Sequence, residues 1–79
     1  MEGVLPSSDR MNAFANNLRE MRKAAGLTQQ ELADACGMPR TYVSRLERGQ
    51  TDPRLTMIVR LAEATGIAPA TLIERTVGR

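Results

Sequence analysis

The fold is decided by residues 28–49, which read TQQELADACGMPRTYVSRLERG. Thr28 and Glu31 have the spacing of a capping box, in which the threonine oxygen accepts from the Glu31 amide while the glutamate reaches back. Apolar residues follow at helical spacing. Gly37 is a typical stop signal, because glycine tolerates the left-handed backbone that ends many helices. The pattern predicts a short helix that ends at Cys36.

A second short helix is predicted directly afterwards. Pro39 suits its first turn, where the missing N–H removes no hydrogen bond, and Gly49 closes it. Only Gly37 and Met38 separate the two helices, so they cannot lie side by side as a long antiparallel pair. The spacing is typical of a helix-turn-helix, a motif whose second helix enters the major groove of DNA.

The second helix separates apolar from basic residues. With Val43 and Leu46 pointing inward, four polar residues share the opposite face at i, i+3, i+4 and i+7, and Arg40 lies at its flank. This set contains three arginines, two hydroxyls and no carboxylate, whereas a merely solvated face usually mixes both signs of charge. Such groups match the requirements of base edges and phosphates. The four outward residues are Thr41, Ser44, Arg45 and Arg48.

The charge balance alone indicates little about a partner. The net charge is only +2, but the basic residues are ten arginines and a single lysine, Lys23. Arginine presents a planar fork of donors that suits phosphate and guanine, where lysine is a point charge. A genome rich in arginine codons would produce the same composition, so the placement of the arginines has to decide.

The composition favours binding over catalysis. Seventy-nine residues allow one domain. The chain has no histidine, and its single cysteine, Cys36, excludes a disulfide framework and a multi-cysteine zinc site. We therefore expect no enzyme activity, no cofactor and no metal, with Cys36 in the core. No small-molecule ligand is indicated either.

The sequence also lacks targeting features. No apolar run approaches the roughly 18 residues that span a bilayer, and the first residues, MEGVLP, do not resemble a secretory signal. We expect a cytoplasmic, nucleoid-associated protein without a membrane partner.

Three further helices flank the motif, so the predicted fold class is all-α with five helices. The first has apolar residues on one face and follows Ser7 and Ser8, either of which can cap it. The next of the three ends at Gly66, and the last ends at about Thr76. The predicted helices cover about 9–25, 55–65 and 69–76, within a single domain of residues 8–76 that follows a flexible extension, 1–7, and precedes a short tail, 77–79.

An ion pair is predicted between the first and third helices. A helical wheel, with 100° of rotation per residue, places Glu47 at the edge of the inward face of the third helix. Arg22 lies at a similar edge of the apolar face of the first helix. A partly buried Arg22–Glu47 pair would fix the angle of the third helix more surely than it would add stability. Arg19 and Lys23, next to Glu20, are expected to form a solvated face.

The fourth and fifth helices are apolar over a wider arc than a small monomer needs. Leu55, Ile58, Leu61 and Ala62 are predicted to face the core. The excess is interpreted as the interface of a symmetric dimer, although Met57 and Val59 could instead pack under loops. The predicted interface residues are Met57, Val59, Leu72, Ile73 and Val77.

The runs Gly26–Ala33 and Arg40–Gly49, with Gly37 between them, resemble the lambda-repressor-like, Cro/CI-type (Xre) helix-turn-helix proteins. The resemblance extends from about Met11 to Ile73. It implies a five-helix lambda-repressor-like domain and a bacterial or phage transcription regulator that binds a palindromic or near-palindromic operator as a homodimer. RNA polymerase is a further partner that such a role implies.

The resemblance also implies roles for individual residues. Arg40, Thr41, Ser44 and Arg45 occupy the base-reading positions. The family pairs the residues at the positions of Arg22 and Glu47. Tyr42 could reach a phosphate or pack against the turn. The residues expected at the DNA backbone are Thr28, Gln29, Tyr42, Arg48 and Gln50.

The Arg40–Ser44 run in so small a protein looks most like the controller proteins of restriction–modification systems. Two alternatives stay open. The chain could be an antitoxin that represses its own operon, or a helical protein-interaction module that never contacts DNA.

Overall fold

The computed structural model describes the backbone of residues 7–76 and the side chains of 11–74 and 76. It contains five α-helices and no strand within that range, which confirms the predicted all-α class. Residues 1–6 and 77–79, including most of the expected extension and the whole expected tail, lie outside the described part. The helices are α1 (Ser7–Ala24), α2 (Gln29–Cys36), α3 (Arg40–Glu47), α4 (Leu55–Thr65) and α5 (Pro69–Thr76).

The first helix begins earlier than expected. Ser7 and Ser8 both lie within α1, so neither precedes the helix as a cap. Its apolar stripe is buried, since Phe14, Leu18 and Met21 are almost inaccessible. The helix packs mainly against α5 and α3. It therefore contacts α3 on the side opposite to the exposed polar face.

The helix-turn-helix unit forms through the local signals that its sequence contains. The Glu31 amide donates to Thr28 Oγ1 at 3.0 Å, and the Thr28 amide donates to Glu31 Oε1 at 2.9 Å, which completes the capping box. Gly37 ends α2 with a φ of 69°, and the next amide, Met38 N, donates back to Ala33 O at 2.9 Å. This tight turn sends the chain directly into α3.

The core lies between all five helices. Leu32 and Ala33 of α2 and Val43 and Leu46 of α3 are fully buried, and the last two are the residues expected to point inward. The cluster is completed by residues of α1, α4 and α5. Its members are Phe14, Leu18, Met21, Leu32, Ala33, Cys36, Val43, Leu46, Met57, Leu61, Ala62 and Leu72.

The expected orientation of α4 is wrong at its first turn. Leu55, predicted to face the core, is 68% exposed, whereas Met57 is only 8% exposed. The buried residues of α4 are Met57, Leu61, Ala62 and Thr65, so Leu61 and Ala62 do face the core as predicted. Leu55 is the first residue after the N-cap Arg54. It projects beyond the end of the core, and a wheel cannot reveal that.

Two residues expected at a dimer interface belong to the interior of the single chain. Met57 and Leu72 are core residues, because α4 packs mainly against α2 and α5, while α5 packs mainly against α1. Val59 and Ile73 remain 36% and 38% exposed. The fifth expected residue, Val77, lies outside the described residues.

We expect the Cys36 thiol to react slowly in the native protein. The residue is 3% exposed, and burial raises the pKa of its thiol, an effect that the nearby Arg60 charge partly offsets. A raised pKa lowers the thiolate fraction at any pH below it, and the thiolate is the reactive form. Labelling with a thiol-specific disulfide reagent at pH 8 should be at least about tenfold slower than in urea-unfolded protein. Equal rates would contradict this placement of Cys36.

Candidate nucleic-acid interface

The third helix presents one apolar and one polar face. Val43 and Leu46 are fully buried and fix its rotation. Thr41, Arg45 and Arg48 are exposed on the other side. Ser44 is half-buried and Arg40, at the first turn, is exposed. The predicted base-reading residues therefore occur together on an accessible helix face.

Glu47, at the last position of α3, is buried with 2% of its surface exposed. Arg22 of α1 donates to it twice, from Nε to Oε2 at 2.6 Å and from Nη2 to Oε1 at 3.0 Å. The same guanidinium donates from Nη1 to Leu27 O at 2.9 Å. The hydrogen bond to Glu47 raises the pKa of Arg22 above its usual value, an effect that burial opposes and the negative charge of Glu47 reinforces. The structure thus brings the predicted pair together as a two-pronged contact between α1 and α3.

Gln29, the first residue of α2, also contacts Glu47. Its amide Nε2 donates to Glu47 Oε1 at 3.1 Å, and its Oε1 accepts from Arg40 Nη1 at 3.5 Å. The side-chain amide is therefore oriented by one residue from each end of α3. One of its two amide hydrogens is used by Glu47, which leaves the second as a donor for a phosphate.

The other residues expected at the DNA backbone lie around the same helix. Thr28 is exposed, and its oxygen is occupied by the capping box while its hydroxyl hydrogen remains a donor. Arg48 is exposed and donates from Nε to Ser44 O at 3.4 Å. Gln50 is exposed, and its backbone amide donates to Arg45 O at 2.9 Å.

Tyr42 is half-buried and packs against the hydrophobic core. It also lines an open cleft of about 440 Å³ together with Met38 and residues of the loop between α3 and α4. The loop residue Arg54, at the N-cap of α4, lines the same cleft. The packing partner of Tyr42 is therefore the core, and the phosphate contact stays a prediction.

The three carboxylates of α2 and α3 are engaged in local contacts. Glu31 closes the capping box, and Asp34 accepts from Gln30 Nε2 at 2.8 Å. Glu47 is enclosed by Arg22 and Gln29. The basic outward face of α3 therefore contains no carboxylate of its own helix, since Glu47 points inward.

Arg19 is a residue whose part in this region the sequence did not reveal. It was expected on a solvated face with Lys23, and that expectation is wrong for Arg19. Its Nη2 donates to the backbone oxygen of Glu47 at 2.6 Å, and the residue is half-buried. Its position one helical turn before Arg22 was the available signal, because residues three apart share a face. Lys23 is exposed.

Within the described residues, no cluster of potential metal ligands occurs. None of the described helices combines the length and the apolar character needed to cross a membrane. Each buried side-chain nitrogen or oxygen in this part of the chain has a hydrogen-bond partner. The polar groups that remain available are therefore those on the accessible surface.

Two short helices joined by a glycine turn, with a basic face on the second, define the helix-turn-helix class. The chain matches the helix-turn-helix family HTH_3 over residues 18–72. It belongs to this family, of which the Xre-like proteins named from the sequence are part.

Three relatives show which kinds of helix-turn-helix protein the chain is similar to. A solved structure of the restriction–modification controller protein C.AhdI from Aeromonas hydrophila is 44% identical, with a TM-score of 0.75, and the match covers 78% of this chain and 94% of that one. The control protein C.BamHI from Bacillus amyloliquefaciens is 33% identical, covering 80% of this chain and 79% of the relative. A hypothetical transcription factor from Neisseria meningitidis is 40% identical, covering 87% of this chain and 66% of its own length.

We expect that removing Arg22 alone destabilises the protein more than removing both members of the pair. Arg22→Met leaves the Glu47 carboxylate buried without its main partner and should cost about 3 kcal/mol. The double variant Arg22→Met, Glu47→Leu removes both charges and should cost less. Urea unfolding followed by circular dichroism measures both free energies. A double variant at least as unstable as Arg22→Met would contradict the assignment of the pair.

Proposed function

We propose that the protein is a sequence-specific transcription regulator that binds double-stranded DNA through α3. The observation that carries the proposal is the accessible face of α3, which holds arginines and hydroxyls on a helix anchored by the buried Glu47. Membership in the helix-turn-helix family supports it. Regulation would follow from occupation of an operator and contact with RNA polymerase in the cytoplasm, without a chemical step.

We assign two kinds of DNA contact to the residues on and around this face. Arginine can contact guanine with two parallel hydrogen bonds, and hydroxyls can donate or accept at any base edge. We assign Arg40, Thr41, Ser44 and Arg45 to the bases. Contacts to phosphates fix the register of the protein without reading sequence. We assign them to Thr28, Gln29, Tyr42, Arg48 and Gln50.

The most specific subtype that the relatives support is a controller of a restriction–modification system. C.AhdI is described as a restriction–modification controller protein and C.BamHI as a control protein, and both align with most of this chain. A controller of this kind would regulate its own operon together with the gene for the nuclease.

A second copy of the chain would complete the binding unit. Leu55, Val59 and Ile73 are large apolar residues that remain exposed on α4 and α5. Ile73 also lines a small apolar groove of about 150 Å³, beside Phe14 and Ile58. Burying these groups between two copies would remove apolar surface from water. Two α3 helices about 34 Å apart would then read half-sites one DNA turn apart.

We expect Arg45→Ala to weaken binding to the operator more than binding to random DNA. Loss of a two-pronged guanine contact should reduce operator affinity about tenfold or more, while random duplexes lose about twofold. Gln29→Ala should weaken both by similar factors, because a phosphate contact is the same in every sequence. Gel shifts at a fixed salt concentration measure both affinities. Equal losses for Arg45→Ala on the two DNAs would refute its assignment to bases.

We expect a charge at the exposed apolar face to break the dimer. Val59→Glu and Ile73→Glu should each raise the dissociation constant of the dimer by about tenfold or more, since they bury a charge between apolar surfaces. Ala35→Glu adds the same charge at an exposed position of α2 and serves as the control. Sedimentation equilibrium measures the association. Dimers of unchanged strength in both α4 and α5 variants would place the interface elsewhere.

Selection of bound sequences from a random duplex library tests the proposal as a whole. It should recover one motif with two-fold symmetry and half-site centres about 10 base pairs apart. Recovery of no preferred sequence at low salt would refute a sequence-specific regulator.

A further inference from the structure

The C-terminal end of α3 is completed by a side chain from another helix. The last four carbonyls of a helix have no partner within it. Arg48 N donates to Ser44 O at 3.1 Å, Gln50 N donates to Arg45 O at 2.9 Å, and Gly49 N donates to Leu46 O at 3.1 Å. The fourth carbonyl, that of Glu47, accepts from Arg19 Nη2 at 2.6 Å. Arg19 therefore supplies from α1 the cap that the backbone supplies for the other three.

Two arginines of α1 thus hold one residue of α3. Arg22 binds the side chain of Glu47, and Arg19, one helical turn earlier, binds its backbone oxygen. A side-chain contact alone permits a helix to tilt about it, whereas a second contact to the main chain restrains its axis. The cation also lies at the negative end of the α3 dipole, where positive charge is favourable.

We propose that Arg19 is a positioning residue for DNA recognition. It acts by fixing the end, and so the axis, of α3, and with it the angle at which Arg45 meets the bases. This inference rests on the proposed function, since it concerns how α3 is presented to DNA. Arg19 is half-buried, and its Nη1 also donates to Oδ1 of the exposed Asn16 at 3.4 Å, so both terminal nitrogens of the guanidinium have partners in the protein.

The matched comparison is between Arg19→Ala and Lys23→Ala. Both remove one positive charge from the same helix, but Lys23 is exposed. Arg19→Ala should reduce operator affinity about tenfold and affinity for random duplexes by no more than about twofold. Lys23→Ala should change both by less than about twofold. The salt dependence of Arg19→Ala should match that of Lys23→Ala, since neither loses a phosphate contact.

A direct phosphate contact gives a different result. Arg19→Ala would then weaken binding to both DNAs equally and lower the slope of log affinity against log salt by about 0.9 relative to Lys23→Ala. That outcome, or an operator affinity equal to that of Lys23→Ala, overturns the proposal. If Arg19→Ala is unfolded at 25 °C, Arg19→Lys replaces it. It keeps the charge and one donor but lacks the fork, and it should lose about threefold on the operator alone.

Amide hydrogen exchange tests the same cap without DNA. The amides of Arg48, Gly49 and Gln50 should exchange at least about fivefold faster in Arg19→Ala than in Lys23→Ala, because the end of α3 opens more often. Unchanged exchange overturns the proposal even if DNA binding falls. If the library selection finds no operator, the proposed function fails, while the exchange result still decides whether Arg19 holds α3.

Discussion

The carboxylate of Glu47 is withdrawn from water at the end of a helix whose other face is basic. An uncompensated charge in that position would cost several kcal/mol, so the fold must bring partners to it. Arg22 comes from α1 and Gln29 from the start of α2. The mutual arrangement of the three helices is therefore set by the need to satisfy one buried acid, and the angle of α3 relative to its support follows from it.

Most of the arginines whose side chains the structure describes fall into two groups that composition cannot distinguish. Arg40, Arg45 and Arg48 are exposed on or beside α3. Arg19 and Arg22 point into the protein and bind the main chain and side chain of Glu47. A similar contact occurs at the end of α2, where Arg60 of α4 approaches the backbone oxygen of Cys36 at 3.5 Å. The guanidinium groups thus lie on the accessible surface in one group and bind helix ends in the other. Because the exposed ones concentrate on α3, a net charge of +2 understates the local basicity of that helix.

Local signals explain which features the sequence could predict. The capping box at Thr28 and the glycines at positions 37 and 66 defined helix ends, because they act through bonds within a few residues. The wheel also anticipated the contact of Arg22 with Glu47. It failed for Leu55, which lies on the expected face but beyond the end of the core, and for Leu72, whose partners come from distant segments. Arg19 shares a helix face with Arg22, but its acceptor is a backbone oxygen, which every residue has, so side-chain types do not identify that contact.

The third helix has only eight residues, or about two turns. Helices shorter than about 12 residues are marginal in water, so α3 depends on tertiary packing for its existence. A ligand that recognises the exposed face of α3 binds only the folded chain, because the unfolded chain has no such face. Ligand binding and folding are then thermodynamically linked. When the ligand is in excess, the free energy of unfolding rises in proportion to the logarithm of its concentration. For so small a domain, release from its target and exposure to proteolysis become coupled events.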